Sequence, residues 1–182
     1  DTLGNMNSSN TTFSVQIGAP TINLISPIGI YLNLQSVTMR YAASDLNLDS
    51  CELWGNFNGN FELNQTNSNP ANGSESTFFL VLEEGTYIWN IQCNDSLGSI
   101  AVNGNKTFYV DLTSPQLSLT EPQGAKDSRT DISLQFSVSD GFPLTCRYNL
   151  NWATGGEIIG NTTIPGCLNA SFNVSADGDY LL

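Results

Sequence analysis

The chain has 182 residues, 40% of them hydrophobic and only 12% charged, with five basic against 17 acidic residues and a net charge of −12. Arg40, Lys106, Lys126, Arg129 and Arg147 are scattered, so no basic patch exists to hold a phosphate backbone and nucleic acid is excluded as a partner. Four cysteines and no histidine argue against a metal centre or thiol enzyme and for two disulfides in an oxidising compartment, and no apolar run reaches the ~20 residues of a membrane-spanning helix.

One stretch occurs twice. Residues 12–29 read TFSVQIGAPTINLISPIG and residues 107–124 read TFYVDLTSPQLSLTEPQG. Thr12/Thr107, Phe13/Phe108, Val15/Val110, Pro20/Pro115, Leu24/Leu119, Pro27/Pro122 and Gly29/Gly124 are identical at an offset of 95, which Ser44-Asp45/Ser139-Asp140 and Cys51/Cys146 continue. That spacing is the size of one small β-sandwich, so the chain reads as a tandem array with a domain junction inside the stretch. The boundaries are an N-terminal strand over 1–18, a first domain over 19–112 and a second over 113–182.

Asp1-Thr-Leu-Gly-Asn resembles Asp95-Ser-Leu-Gly-Ser, which in an immunoglobulin-like order is the turn between strands F and G. Residues 1–17 therefore read as a last strand of a domain whose other strands lie elsewhere. In the first domain, strand A is Thr21–Ile25 and strand B is Ser36–Ala43, with Val37, Met39, Tyr41 and Ala43 inward at period two. Strand C carries Cys51 and Leu53, and Gly55-Asn-Phe-Asn-Gly-Asn is a turn-rich hairpin. Strand E is Ser76–Leu82, with Phe79 and Val81 matched to Phe172 and Val174. Strand F is Thr86–Asn94, with Tyr87, Trp89 and Ile91 on one face, and strand G is Asn105–Asp111.

The second domain follows the same plan. Strand B is Asp131–Val138, strand C Cys146–Asn151 and strand E Ala170–Val174, and Asp177-Gly178 turns into Tyr180-Leu-Leu. Tyr180 matches Tyr87, so Leu182 is level with Trp89, midway along strand F. The sequence reads as a mature form or an excised piece. Its second sandwich is expected to lack strand G, leaving an edge of unpaired backbone groups that a strand must cover. The candidate is Thr11–Ile17 of an adjoining copy, with Thr11 in the strand and Phe13, Val15 and Ile17 as inward anchors. The alternative is a covalent repeat chain of which this is a window.

Cys51 at the start of C and Cys93 near the end of F lie on antiparallel neighbours, and Cys167 before strand E lies close to Cys146. The expected pairs are Cys51–Cys93 and Cys146–Cys167, in preference to cross-domain bonds. Asn-x-Ser/Thr occurs at Asn7, Asn10, Asn64, Asn72, Asn94, Asn105, Asn161, Asn169 and Asn173. In a secreted chain several of these are expected to carry N-linked glycans, Asn64, Asn72 and Asn161 first. Asp45, Asp49, Asp95 and Asp111 at strand ends raise calcium, but no EF-hand spacing supports it and solvated carboxylates are the simpler reading. No triad, GxSxG or phosphate loop appears, and Glu83-Glu84 is a common solvent-facing pair, so no enzyme and no cofactor are expected. Phe57, Phe61 and Trp152 could stack on sugars, with hairpin packing as the plainer alternative.

The strings CELWGNFNGNFELNQT, EEGTYIWNIQCNDSLGS and KTFYVDLTSP resemble the Ig-like repeats of large archaeal cell-surface proteins. TCRYNLNW, TTIPGC, ADGDYLL and DTLGNMNSSNTTFSV look like a sister repeat type. The resemblance implies a non-enzymatic, glycosylated surface protein. The expected fold is all-β: two tandem immunoglobulin-like β-sandwiches, the second completed by a strand from a neighbouring copy. The expected role is a structural subunit or repeat of an extracellular or cell-surface filament, its partners further copies of itself. An adhesin that recognises glycans or another cell surface through the loops around Phe57–Phe61 is the alternative.

Overall fold

A run such as Ser36–Ser44, with Val37, Met39, Tyr41 and Ala43 buried and their neighbours turned out, can bury its apolar row only against a second sheet. The structure, a computed structural model describing residues 9–13 and 18–182, answers that demand twice. It divides into two compact units between Val110 and Asp111. No helix among the described residues is long and apolar enough to cross a membrane.

The first unit holds β1 (Thr21–Ser26), β2 (Tyr31–Leu32), β3 (Ser36–Ser44), β4 (Leu48–Gly55), β5 (Glu62–Asn67), β6 (Glu75–Val81), β7 (Gly85–Asp95), β8 (Ile100–Val102) and β9 (Lys106–Val110). One sheet runs β1-β3-β6 and the other β2-β9-β7-β4-β5, with β8 also on β7. This is the immunoglobulin-like arrangement of strands A, B and E facing C′, C, F and G. Between the sheets lie Met39, Tyr41, Leu53, Trp89, Ile91 and Phe108, all fully buried, and the Trp89 indole N–H donates to the Pro27 carbonyl at 2.9 Å.

The second unit repeats the plan with β10 (Gln116–Glu121), β11 (Ile132–Ser139), β12 (Cys146–Trp152), β13 (Glu157–Ile164), a 3-10 turn Pro165–Cys167, β14 (Ala170–Phe172) and β15 (Tyr180–Leu181). Its sheets are β10-β11-β14 and β13-β12-β15. The 95-residue offset holds in the backbone. Leu24 pairs with Tyr41 and Leu119 with Phe136, each just before the same register shift, and Gly29 and Gly124 both take the left-handed conformation (φ 62° and 61°) that favours glycine.

One sequence expectation is corrected here, the match of Phe79 and Val81 to Phe172 and Val174. In β6 it is Phe78 and Leu80 that face the core, while Phe79 and Val81 are exposed. Two successive phenylalanines fit either parity, and pairing with β3 decides it by setting Phe78 beside Met39 and Leu80 beside Val37. Because Ile132 pairs with Phe172, the counterpart of Phe172 is Leu80 and not Phe79. The C′ strands β5 and β13 also went unread, since runs such as ELNQTN carry no apolar alternation.

Candidate functional site

The end of strand F positions the site. In the first unit the Tyr87 hydroxyl donates to the Glu83 carbonyl at 2.9 Å, and in the second the Tyr180 hydroxyl donates to the Ala176 carbonyl at 2.5 Å. Both reach back four residues, the tyrosine corner that opens strand F of such sandwiches. Tyr87 is the middle ring of a stack, 6.1 Å from Phe57 and 5.5 Å from Phe108. Tyr180 stacks at 4.7 Å on Trp152, the counterpart of Phe57, and among the described residues no third ring joins them. Phe108 comes from β9, whose partner register sets Thr107 opposite Ile88, Phe108 opposite Tyr87 and Val110 opposite Gly85. In the second unit β15 is the last strand of its sheet, and no described strand pairs with its outer edge.

Above β15 the sandwich is open. Val37, Met39, Tyr41 and Ala43 are all buried in the first unit, whereas of their counterparts only Leu134 is, and Ile132, Phe136 and Val138 are half-buried. Leu24 is buried, but its counterpart Leu119 is exposed, as is Leu117. Leu117, Leu119, Leu134, Phe136 and Val138, with Cys146, Tyr148 and Leu182, line a cavity of about 400 Å³. β4 pairs with β7 along Cys51–Gly55, but β12 meets β15 only at Asn151 and Trp152. Along this side of β12, from Cys146 to Leu150, no strand among the described residues pairs with it.

The disulfides of the two units also differ. Cys51–Cys93 joins directly opposed residues of strands C and F, with a Cα–Cα distance of 4.1 Å. Cys146–Cys167 ties the start of C to the turn before strand E instead, so nothing covalent holds strand F in the second unit.

Of the strand 11–17, Val15 and Ile17 lie outside the described residues. Residues 9–13 form no strand, and the Phe13 side chain is 80% exposed. The register of β9 carried to the second unit sets Thr12 opposite Leu181, Phe13 opposite Tyr180 and Val15 opposite Gly178. A strand so placed runs along the edge of β15, and the cavity lies level with Leu182.

Among the sequons, Asn7 lies outside the described residues, and Asn10 and Asn161 are exposed, the latter in left-handed backbone (φ 32°). Asn64 sits half-buried in β5. The Asn72 side chain bridges the backbone of Asp45, accepting from its N–H at 3.2 Å and donating to its carbonyl at 2.5 Å. Asn94 is held between Ser50 and Asp49, and Asn105, Asn169 and Asn173 accept from Asn90, Phe136 and Asp131 respectively.

Two of the four acidic candidates, Asp45 and Asp95, close turns. Asp45 accepts from the Asn47 N–H, and Asp95 accepts from the N–H groups of Leu97 and Ser99 at 2.9 and 2.7 Å. Burial pushes the Asp95 carboxyl up, but the hydrogen bonds from Ser99 and Leu97 outweigh it and hold the group below its ordinary range. No group of three metal-ligating side chains occurs among the described residues. Phe57 packs inward against the core and Tyr87, leaving Phe61 as the exposed ring of that hairpin.

No family model and no curated protein matches the chain. Among solved structures it is similar to the fibronectin(III)-like modules of Clostridium thermocellum CbhA, at 12% identity over 85% of this chain and 80% of that one, with a TM-score of 0.47.

Proposed function

We propose that the chain is a non-catalytic structural module of an extracellular filament, in which strand 11–17 of one copy pairs with the open edge of β15 in the next. One observation carries this reading: Phe108 is the third ring of the stack on Tyr87, the matching place beside Tyr180 has no ring from the described residues, and the sequence twin of Phe108, Phe13, stands in solvent. An aromatic so exposed gains by burial, and an unpaired strand edge gains by acquiring a partner. Two disulfides support an oxidising compartment for this chain, and in this reading its exposed sequons, Asn10 and Asn161 first, carry N-linked glycans there.

Cross-linking tests the pairing. One chain carries Thr12→Cys and a second carries Leu181→Cys, the two positions that the β9 register sets opposite each other. Mild oxidation of the mixture yields a reducible dimer, while Thr12→Cys mixed with Leu168→Cys, an exposed control, yields none. Equal dimer from both mixtures, or assembly that survives deletion of residues 1–17, refutes strand donation.

A further inference from the structure

We infer that Asn64 and Asn161 carry N-linked glycans whose task is to bar the outer edges of β5 and β13 from pairing with strands of other copies. The inference rests on the reading that the chain resides where such glycans are attached, and it adds a position and a task to that reading. The two asparagines are structural equivalents that the linear repeat conceals, because they stand 97 residues apart and not 95. Gln65 pairs with Leu53 and Thr162 with Tyr148, the counterpart of Leu53. In each unit the register then slips at the residue just before, which is Asn64 in β5 and Asn161 in β13. Each sequon therefore opens on the bulge of strand C′.

Three features single out these positions. Strand C′ is the terminal strand of its sheet in both units, and among the described residues no strand pairs with its outer side. Such an edge is a template for a further strand unless charge, a bulge or a cover blocks it, and a bulge interrupts the ladder at one point only. No charged side chain lies in Asn64–Asn67 or in Asn161–Ile164 to repel an incoming strand. Secondly, no hydrogen bond to the Asn64 or Asn161 side chain occurs among the described residues. Asn72, Asn94, Asn105, Asn169 and Asn173 are each tied to a neighbour instead. The amide nitrogens of Asn64 and Asn161 are thus free to bear a sugar. Thirdly, both sequons end in an exposed threonine, Thr66 and Thr163. A bulky, hydrated oligosaccharide at the bulge excludes a flat strand by volume, where the sequence supplies no charge to do so.

The test secretes the full chain from a host that attaches N-glycans. Enzymatic deglycosylation in heavy-oxygen water turns each occupied asparagine into a labelled aspartate, which mass spectrometry locates, and Asn64 and Asn161 are both expected to be labelled. Thr66→Ala with Thr163→Ala then removes both sequons at exposed positions and keeps both asparagines. In a Phe13→Ala background, which weakens strand donation, this variant forms thioflavin-binding aggregates severalfold faster than the glycosylated parent. Asn64→Lys with Asn161→Lys, equally without glycans at these sites, aggregates as slowly as the parent, because lysine guards an edge by charge. An unlabelled Asn64 or Asn161, or an alanine variant as soluble as the parent, overturns the assignment. Aggregation that lysine does not relieve makes the glycans general solubilisers and overturns the edge role. A bare Asn64 beside labelled Asn10 and Asn161 sinks this inference alone. Labelled sites and lysine-relieved aggregation without a Thr12–Leu181 cross-link sink only strand donation.

Discussion

The duplicated stretch allows one substitution to be made twice with opposite expected consequences. Phe108→Ala removes a ring that is fully buried and stacked on Tyr87. Truncating a core phenylalanine costs about 3–5 kcal/mol, and in a domain of this size that lowers the melting midpoint by roughly 12 °C or more. Phe13→Ala removes the twin of that ring, 80% exposed in the free chain, and leaves the melting of the monomer unchanged. Burial of a phenylalanine side chain is worth up to about 3 kcal/mol, of which the ring still has most to gain. Loss of about 2–3 kcal/mol weakens copy-to-copy association roughly 30- to 140-fold, at about 1.4 kcal/mol per factor of ten. Sedimentation velocity over a concentration series measures the association and calorimetry the melting. If Phe13→Ala assembles like the parent chain, the twin does not occupy the place beside Tyr180. If Phe108→Ala melts like the parent, the ring stack is not part of the core.

Three further outcomes follow from the geometry. Replacing Cys51 and Cys93 together by alanine opens a 42-residue loop and lowers the stability of the first unit by about 4 kcal/mol in the chain-entropy relation, and the Cys146/Cys167 pair, 21 residues apart, costs about 3 kcal/mol, both read by calorimetry. Trp89→Phe leaves the Pro27 carbonyl buried without its donor and costs about 1–3 kcal/mol in urea melts. Because the Asp95 carboxyl titrates lower in the folded chain than in the unfolded one, its stabilisation is in place above the ordinary carboxyl value of about 3.9 and fades as the pH falls through the depressed folded value. Asp95→Asn flattens that acid limb in pH-dependent melts, and an unchanged slope shows that other carboxyls carry it.

Much of the sandwich was legible because inward rows such as Val37-Met39-Tyr41-Ala43 alternate with polar residues and because a 95-residue repeat aligned the two domains. The disulfides followed from strand neighbours. What escaped was pairing that leaves no apolar rhythm. β5 and β13 are edge strands written largely in Asn, Thr and Glu, and the two-residue β2 lies parallel to β9 through backbone bonds that no side chain announces. The slip at Phe78-Phe79 shows that composition cannot choose a face when both parities are apolar; the partner strand chooses it. An open second sandwich is already expected from the sequence; the structure adds which side chains line it, Leu117, Leu119, Phe136 and Val138 among them.

The two cystine placements also set how the chain lengthens when pulled from its ends. A force that peels the first sandwich apart cannot extend the segment between Cys51 and Cys93, which withholds about 14 nm of contour at 3.3–3.6 Å per residue. Cys146–Cys167 withholds about 7 nm. Under an oxidising environment each module therefore yields only part of its length to load, and a reducing one releases the reserve. The locked share is larger in the first unit, while in the second no disulfide anchors strand F, so that strand is free to peel away under load.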